Sequence, residues 1–444
     1  MCSDLSPLVD VVGIGFGPSN LGLAIAIEEH NLTAGPQQAV TAKFFEKKDA
    51  FGWHSGMLLP GTTMQVSFLK DLATQRNARS EYTFLNYLTE RGRLTHFINR
   101  QDFFPLRAEF HDYLCWAADR VRIPVEYSTD VTAVRWDGDH FEVVSDSGVV
   151  RARNLVLGGG LRAKLPAGVT AGPRVFHNHR MLHHFADLPS RSNGRYAVIG
   201  AGQSAAEVAA YLHDETDADV HAVFAKYGYT PADDSPYANR IFDPEAVDEY
   251  FAAGDGWRER LLQYHRSTNY SAVDPELIQD LYQREYTEHV NGHRRLFVHG
   301  ATELVDIVEG ADSVRIRVAH RLTGTETELD CDAVVFATGF EPTPLSDMLG
   351  DLAESCGEDR HGRPVLDRLY RVQTADDITG DIFVQGNSEH THGLTSTLLS
   401  NVAVRSGEIV RALAENRSLV AASAVSNGFA DIAGEPLSGR DGHR

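Results

Sequence analysis

The chain has 444 residues, and 41 Lys and Arg stand against 62 Asp and Glu, a formal net charge of −21. Hydrophobic residues make up 42% and charged residues 23%, which is typical of a folded globular protein of two or three domains. So acidic a surface disfavours a nucleic-acid partner, whose phosphates it would repel. No apolar run approaches the ~20 residues that span a bilayer, and no basic segment followed by an apolar one begins the chain. We therefore expect a cytoplasmic protein with no membrane partner.

The cysteine and histidine patterns argue against two kinds of site. The four cysteines are scattered and form no C-x-x-C pair, which disfavours a disulfide framework or a zinc ribbon. Several of the 20 histidines are close neighbours, but no third ligand follows them at a spacing such as His-Glu-x-x-His. We therefore predict no metal site.

Residues 9–29 have the pattern of a strand, a glycine-rich turn and a helix. An apolar run ends in a motif of Gly13, Gly15, Gly17 and Pro18, and a helical pattern follows it. Glycines allow a tight turn and let backbone N–H groups approach a pyrophosphate, which the positive end of the helix attracts. One such motif is weak evidence by itself, because glycine-rich turns occur in many α/β proteins.

The strand that follows, AKFFEKK, ends at Glu46. An acidic residue at this point of a dinucleotide-binding unit normally binds a ribose hydroxyl, and the alternative is a solvated charge at a strand end. Further along, residues 130–150 are predicted to form a β-hairpin, and residues 151–160 a strand that ends in three glycines.

Residues 195–213 repeat the strand, turn and helix, with Gly200 and Gly202 in the turn. Ser204 follows at the start of the helix, where its hydroxyl can bind a pyrophosphate or cap the helix. Two such motifs, each between a strand and a helix, predict two dinucleotide sites. Lys226 follows the next strand where an acidic residue would repel a 2′-phosphate, so the site favours NADPH over NADH, unless this lysine is only a surface charge.

The last third of the chain contains three further predicted elements. Residues 313–334 have the pattern of a second hairpin, and residues 332–339 that of a buried strand ending in Thr338 and Gly339. Residues 402–415 form an amphipathic helical pattern.

Several longer stretches resemble one enzyme family. Together with the two glycine motifs, they resemble the flavoproteins with two dinucleotide-binding domains, and specifically the flavin-dependent N-hydroxylating monooxygenases of siderophore biosynthesis, of the L-ornithine type. The resemblance covers roughly residues 9–415. The stretches are GFGPSNLGLA at 15–24, MQVSFLKDLATQRN at 64–77, YTFLNYL at 82–88, PADDSPYANRIFDPE at 231–245, STNYSAV at 267–273 and HTHGLTSTLLSNVAVR at 390–405.

This resemblance implies an α/β fold with two Rossmann-like domains, one for FAD and one for NADPH, and a smaller substrate-binding region. It also implies a homotetramer, and it assigns the strand at 332–339 to the FAD domain. The implied domains are the first part of the FAD domain at 9–190, the NADPH domain at 191–325 with a substrate-binding insert at about 227–290, the return to the FAD domain at 326–415, and a poorly ordered tail at 416–444.

The implied chemistry needs two cofactors because no side chain activates oxygen. NADPH reduces FAD, the reduced flavin reacts with molecular oxygen to give a flavin hydroperoxide, and the terminal amine of the substrate attacks the distal oxygen. The attacking amine must be neutral, whereas a free alkyl amine has a pKa of about 10.4. A desolvated pocket lowers that pKa, and this is the activation the protein must supply.

The resemblance assigns four residues to the flavin and nicotinamide. Gln65 is expected near the reactive edge of the flavin, and Arg107 near the nicotinamide, unless Arg107 is a surface helix cation. Trp53 and His54 are expected to pack on the isoalloxazine, although His54 could equally be a structural hydrogen-bond donor. Thr338 and Gly339, at the end of their strand, are further cofactor contacts.

Five residues are the candidate substrate site. By the resemblance, Lys70 binds the substrate carboxylate, although a lysine in an apolar stretch can also extend to water. Asn239 and Asn269 offer a donor and an acceptor to an amino acid, although either could be a turn residue. Thr397 and Ser400 are expected to close over the flavin and the amine, and the sequence leaves open which of them contacts substrate.

The substrate and the reaction class each leave alternatives. Lysine, putrescine and cadaverine differ from ornithine by a methylene or a carboxylate, and one methylene contributes only about 1–3 kcal/mol of discrimination. A disulfide or quinone oxidoreductase on the same fold would need a C-x-x-C pair near the flavin, which the chain lacks. A flavoprotein that only binds nucleotides would have no need of the substrate-site stretches.

Overall fold

The computed structural model describes residues 8–188 and 194–415. The predicted tail at 416–444 lies outside these ranges. In chain order, the strands of the described part are β1 Leu8–Ile14, β2 Ala42–Phe45, β3 Val125–Glu126, β4 Val131–Trp136, β5 Phe141–Ser145, β6 Gly148–Leu157, β7 Leu161–Ala163, β8 Val175–His177, β9 Arg195–Ile199, β10 Asp219–Val223, β11 Leu296–His299, β12 Thr302–Glu309, β13 Val314–His320, β14 Glu326–Cys331, β15 Ala333–Phe336, β16 Phe340–Pro342 and β17 Ile382–Val384.

The α-helices range from single turns to five turns, and short 3₁₀ turns join several of them. None of the helices in the described part of the chain is both long and apolar enough to cross a bilayer. The helices are α1 Pro18–Thr33, α2 Phe84–Glu90, α3 Leu94–Arg100, α4 Arg107–Arg120, α5 Met181–Phe185, α6 Gln203–Glu215, α7 Pro244–Ala252, α8 Asp255–Tyr264, α9 Pro275–Asn291, α10 Ser346–Leu349, α11 Glu389–His392 and α12 402–415.

The first sheet has the order β3-β2-β1-β6-β5-β4, and β17 also pairs with β6. β1 runs parallel to β2 and to β6, and its residues from Val11 to Ile14 are buried, as expected of a central strand covered on both faces. The hairpin predicted at 130–150 is present, with its turn at 145–148 between β5 and β6, and β4 adds a third antiparallel strand. β17 returns to this sheet late in the chain and pairs with the end of β6.

The second sheet is parallel throughout, with the order β11-β10-β9-β15-β8. β15 contains the apolar part of the predicted strand at 332–339, and its Val334 lies opposite Ala197 of β9. The assignment of this strand to the FAD domain is therefore wrong, and β17 is the strand that returns to the first sheet. A run of buried apolar residues indicates that both faces of a strand are covered, but not which sheet it joins.

Two smaller predictions are confirmed nearby. β13 and β14 form the antiparallel hairpin expected at 313–334, and β12 extends it to three strands. Residues 402–415 are helical, as their amphipathic pattern indicates.

An aromatic cluster attaches α4 to the segment that precedes it. Phe84 and Phe110 stack with ring centroids 5.7 Å apart, and Tyr113 packs against both. The Tyr113 hydroxyl also accepts a hydrogen bond from the Leu72 N–H at 3.1 Å. This packing fixes the 64–77 stretch against α4, whose first residue is Arg107.

Gly13 and Gly17 belong to the same motif but differ in the space around them, so the pair tests how tightly the motif is packed. A Cβ on Gly13 would lie 2.2 Å from the buried Phe44 ring, whereas one on Gly17 would meet nothing within 4 Å. We expect Gly13→Ala to destabilise the fold by about 1–3 kcal/mol through overpacking. Thermal unfolding of the cofactor-free protein measures this, with Gly17→Ala as the control that should lose less, because its methyl group would lie in open space and only the N-cap preference changes. Equal midpoints for the two variants would contradict the packing argument.

Candidate active site

The first glycine turn leaves open space in front of α1. Gly15 has φ +81°, and a Cβ there would lie 2.6 Å from the Gly158 carbonyl oxygen, so only glycine fits. Gly17 occupies the N-cap position of α1 without a side-chain cap, and Pro18 begins the helix. A helix start with free N–H groups and no side chain over it suits an anionic group such as a pyrophosphate.

Glu46 is bound to this turn. It is buried, and its carboxylate accepts hydrogen bonds from the Phe16 N–H at 2.8 Å and the Lys48 N–H at 3.0 Å. The alternative of a solvated charge at a strand end is therefore wrong. The carboxylate lies beside the glycine turn, where a ribose would follow the pyrophosphate, and that contact stays a prediction.

The second glycine turn opens onto a cavity of about 1370 Å³. A Cβ on Gly200 would lie 2.4 Å from the Ala337 carbonyl oxygen, so this turn also requires a glycine. Gly202 is the N-cap of α6, and Ser204 lies in the first turn of that helix and lines the cavity. Because Gly202 holds the capping position, Ser204 does not cap the helix, and it borders the space where a coenzyme would lie.

Lys226, Thr338 and Gly339 line the same cavity. The Lys226 ammonium donates to Thr230 Oγ1 at 2.9 Å and to the Ser271 carbonyl at 2.7 Å, so it is held on the wall that follows β10. The side chain is half-buried, and its contact with a 2′-phosphate stays a prediction.

His54 also faces the cavity, with its ring edge-on to Trp53 at 4.5 Å. Surrounding protein atoms, and then the positive charge of Arg107, lower the pKa of His54 to about 4. Because the ring still faces the open cavity, water moderates this shift, but the direction leaves His54 neutral at pH 7. Trp53 packs against Phe110 of the aromatic cluster.

Arg107 forms a buried, two-pronged ion pair with Glu207. Its guanidinium donates to both Glu207 carboxylate oxygens, at 2.7 and 2.8 Å, and to the Met57 carbonyl at 3.1 Å. The two side chains are only 11% and 4% exposed, so the alternative of a surface helix cation is wrong. The pair joins α4, which packs on the first sheet, to α6 of the second glycine unit. The nicotinamide contact of Arg107 stays a prediction.

A chain of side-chain amides continues from this pair. Gln203 donates to Glu207 at 3.1 Å and to Asp274 at 2.9 Å, and Gln65 donates to the same Asp274 oxygen at 2.8 Å. Sequence reasoning missed Gln203, Glu207 and Asp274. Glu207 carried a signal, because it stands in the apolar run AAEVAA of a buried helix, where a carboxylate needs a partner.

Lys70 is half-buried with its ammonium 5.8 Å from the centre of the Phe242 ring. Burial lowers the pKa of Lys70, and Asp243 partly opposes that effect. The adjacent Asp71 is no counter-ion, because its carboxylate accepts the backbone N–H groups of Ala73 and Thr74 and of Phe84 at the start of α2. Among the described residues no carboxylate forms an ion pair with Lys70, so the cation is available to an anionic ligand.

The two asparagines differ in their surroundings. Asn239 lies in the 3₁₀ turn Ala238–Phe242, is exposed and donates to the Asp234 carbonyl at 2.8 Å. Its turn packs against the 3₁₀ turn Leu394–Thr397. Asn269 instead lines the cavity and forms a side-chain hydrogen bond with Tyr270.

Tyr270 joins the insert to the late segment of the chain. Its hydroxyl donates to Glu389, and Thr397 also hydrogen-bonds it. Burial raises the pKa of both Tyr270 and Glu389. Thr397 lines the cavity, whereas Ser400 is buried in the next 3₁₀ turn and lines no part of it. Of the two residues that the sequence left open, Thr397 is the one placed to contact a ligand.

Arg405 is also a buried cation, and unlike Arg107 it was not identified from the sequence. It is 2% exposed and donates to Gln385 Oε1 at 3.2 Å, to the Ser396 carbonyl at 2.8 Å and to Ser19 Oγ at 3.3 Å. Ser19 lies in the first turn of α1 and Gln385 directly after β17. Arg405 therefore fixes the Leu394–Thr397 turn to the first glycine unit.

The histidine pairs do not gather a third ligand within the described ranges. The group of three ligand-type side chains there is Asp137, His140 and Glu142, on the hairpin of β4 and β5. Asp137 Oδ1 accepts the His140 N–H of its own turn, and the His140 ring lies 3.0 Å from Asp137 Oδ2. This geometry is that of a turn with an ion pair, and the expectation of no metal site stays a prediction.

With this geometry in place, comparison with known proteins identifies the family. Residues 7–342 match the family model described as L-lysine 6-monooxygenase/L-ornithine 5-monooxygenase. The chain belongs to this family. The resemblance inferred from the sequence is confirmed, and so is the α/β fold with two dinucleotide-binding domains.

Three relatives illustrate the similarity. The chain is 38% identical to the L-ornithine N(5)-monooxygenase of Burkholderia cepacia, over 86% of this chain and 89% of that one. It is 47% identical to the ornithine N-hydroxylase of Kutzneria sp. 744, solved with reduced FAD, NADP⁺ and L-ornithine, with a TM-score of 0.88 over 93% of this chain and 100% of that one. It is 34% identical to the ornithine hydroxylase of Pseudomonas aeruginosa, with a TM-score of 0.85 over 92% and 99%.

The buried pair of Arg107 and Glu207 leads to a stability prediction. Glu207→Gln removes the counter-charge and leaves a buried guanidinium unpaired, so we expect a loss of about 3–5 kcal/mol in the free energy of unfolding. Urea denaturation measures it. The control is Asp330→Asn, which breaks an exposed pair with Arg315 and is expected to leave the unfolding midpoint unchanged. A Glu207→Gln variant as stable as wild type would show that the ion pair does not contribute to the stability of the fold.

Proposed function

We propose that the protein is an FAD- and NADPH-dependent monooxygenase that hydroxylates the side-chain amine of L-ornithine. The observation that carries the proposal is the cavity, because one space joins the start of the coenzyme helix α6 to Asn269 and Thr397 of the predicted substrate site. A coenzyme and a small amine bound there would lie side by side. Membership of the lysine and ornithine monooxygenase family supports the same reaction.

The residues of the two glycine turns fit the two cofactors. Gly17 leaves room for a pyrophosphate at the start of α1, and Glu46 lies beside it for the ribose of FAD. Gly202 and Ser204 form the matching site for NADPH, and Lys226 is the candidate contact for its 2′-phosphate. When bound, FAD supplies the activation of oxygen that side chains lack.

The overall reaction balances with one reductant and one oxidant. NADPH supplies two electrons, one atom of molecular oxygen forms the new N–O bond, and the other leaves as water with two protons. We assign the chain three tasks in this reaction, which are to bind the amino acid, to exclude water and to keep the reacting amine neutral. An amine with a pKa of about 10.4 in water loses its proton more readily in a desolvated pocket.

Lys70 is the proposed contact for the substrate carboxylate. Its half-buried ammonium has no ion-pair partner among the described residues, and a carboxylate would supply one. Asn269, at the cavity wall, and Asn239, in the turn that packs on Leu394–Thr397, are the proposed polar contacts of the amino acid. Thr397 would then cover the amine from the opposite side.

We further propose a cytoplasmic homotetramer whose product is a hydroxamate precursor for a siderophore or a related natural product. The three cysteines in the described part of the chain are free thiols, as expected in a reducing compartment. Exposed apolar stripes on α8 and α9 support self-association, with Trp257 at 64% and Tyr264 at 82% exposure on α8, and Tyr282 at 66% on α9. Light scattering at micromolar concentration tests the tetramer.

The proposed function predicts hydroxylamine formation from ornithine with FAD bound and NADPH as reductant. The assay offers ornithine, lysine, putrescine and cadaverine in turn, and measures hydroxylamine together with NADPH consumption. We expect the highest yield with ornithine, and faster flavin reduction by NADPH than by NADH. Efficient turnover of another amine would correct the substrate, and absence of hydroxylamine from all four would refute the proposed function.

Lys70→Ala tests the proposed carboxylate contact. Removing one partner of a buried charge pair costs about 2–5 kcal/mol, so the apparent affinity for ornithine should fall about tenfold or more. FAD content and flavin reduction by NADPH should stay near wild type, since those sites lie elsewhere. NADPH oxidation should then yield more hydrogen peroxide and less hydroxylamine.

The control for this variant is Lys47→Ala, which removes an exposed lysine of the same charge. Putrescine adds a second control, because it has no carboxylate and its turnover should change little. Wild-type affinity for ornithine in Lys70→Ala would contradict the assignment. Loss of FAD in that variant would instead support a lysine that only stabilises the fold.

A further inference from the structure

Asp274 lies where three parts of the chain meet. One of its carboxylate oxygens, Oδ2, accepts hydrogen bonds from Gln65 at 2.8 Å and from Gln203 at 2.9 Å. Gln65 belongs to the 64–77 stretch that packs on α4, and Gln203 begins the coenzyme helix α6. Asp274 lies within the insert, directly before α9. One carboxylate oxygen therefore connects the 64–77 stretch, the start of α6 and the insert.

The two glutamines depend on Asp274 to different degrees. Gln203 has other partners, because its Oε1 accepts the Asp274 backbone N–H at 2.8 Å and its amide also donates to Glu207 at 3.1 Å. The Gln65 side chain is exposed, and within the described ranges Asp274 is its one hydrogen-bond partner. Loss of the Asp274 carboxylate would therefore release Gln65 and leave Gln203 largely in place.

The chemistry of the pair also fixes the direction of the Gln65 amide. An ionised carboxylate only accepts hydrogen bonds, so the NH₂ group of Gln65 must face it and the carbonyl oxygen must point away. Burial raises the pKa of Asp274, and the hydrogen bond from Gln65 opposes that effect. Without this acceptor the exposed amide would be free to rotate or to turn over.

We propose that Asp274 is a positioning residue for the oxygen transfer, which orients Gln65 and ties that orientation to the start of the coenzyme helix. The inference rests on the proposed function, because it concerns how the reducing power of NADPH is directed to the amine. A loose Gln65 would still permit NADPH oxidation but would divert it to hydrogen peroxide. Coupling here means the hydroxylamine formed per NADPH oxidised. Gln65 therefore contributes to coupling only while Asp274 holds its amide in place.

A double-mutant cycle tests the proposal in the FAD-loaded enzyme. Asp274→Ala and Gln65→Ala should each lower the hydroxylamine formed per NADPH by about fivefold, and the double variant should lose no more than either single one. Glu276→Gln, which removes an exposed carboxylate two residues away, should couple like wild type. If Asp274 only stabilised the fold, its removal would not lower the hydroxylamine yield to the same extent as removal of Gln65, nor would the double variant match the single ones.

Two results would overturn the proposal. The first is a wild-type yield of hydroxylamine per NADPH in Asp274→Ala while Gln65→Ala lowers that yield. The second is a double variant in which the reductions in yield from the two single variants multiply. The same cycle is also measured on thermal unfolding, because the hydrogen bond between the two side chains does not depend on the reaction. A wild type that makes no hydroxylamine therefore refutes the proposed function, while the non-additivity of the unfolding midpoints still decides whether the two side chains interact.

If Asp274→Ala does not fold, a second experiment exchanges the amide of Gln65 and the carboxylate of Asp274. Gln65→Glu sets a second carboxylate against Asp274 and should uncouple the enzyme by repulsion. Combining it with Asp274→Asn restores a donor and an acceptor, and should recover about half or more of the wild-type coupling. Absence of recovery in the combined variant would count against the hydrogen bond as the means of positioning.

Discussion

The buried ion pair of Arg107 and Glu207 joins α4 to α6, the helix whose first turn lines the cavity. The pair is almost fully removed from water, and its two parallel hydrogen bonds fix both the distance and the direction between α4 and α6. A buried charge without its partner is strongly unfavourable, so separation of the two helices is opposed by desolvation as well as by lost packing. The pair therefore sets the spacing of α4 and α6.

Two further polar connections complete the enclosure. Tyr270 and Glu389 join the insert to the late segment of the chain, and the buried Arg405 joins that segment to the start of α1. Each connection links parts of the chain that are distant in sequence, and each lies at the edge of the cavity or directly behind it. The site is therefore bounded by polar contacts, while the apolar cores lie between the two sheets and the helices that cover them.

Features that depend on neighbouring residues were predictable. The strand, glycine turn and helix were recognised at both places because their residues are contiguous, and the hairpins and α12 follow from local periodicity. The family, and with it the cofactors, followed from contiguous stretches such as the one that contains Lys70. Glu46 was singled out by its place at the end of β2, although its burial and its bond to Phe16 were not visible.

Contiguous residues were enough to identify the two dinucleotide-binding units and the family, and to propose the residues of the site. How these parts meet depends on contacts between distant segments of the chain. β15 joined the second sheet rather than the first, because strand pairing is a contact between distant segments that an apolar pattern does not encode. Glu207, Asp274 and Arg405 gained their roles in the same way, since a buried charge is explained only by the partner that the fold brings to it.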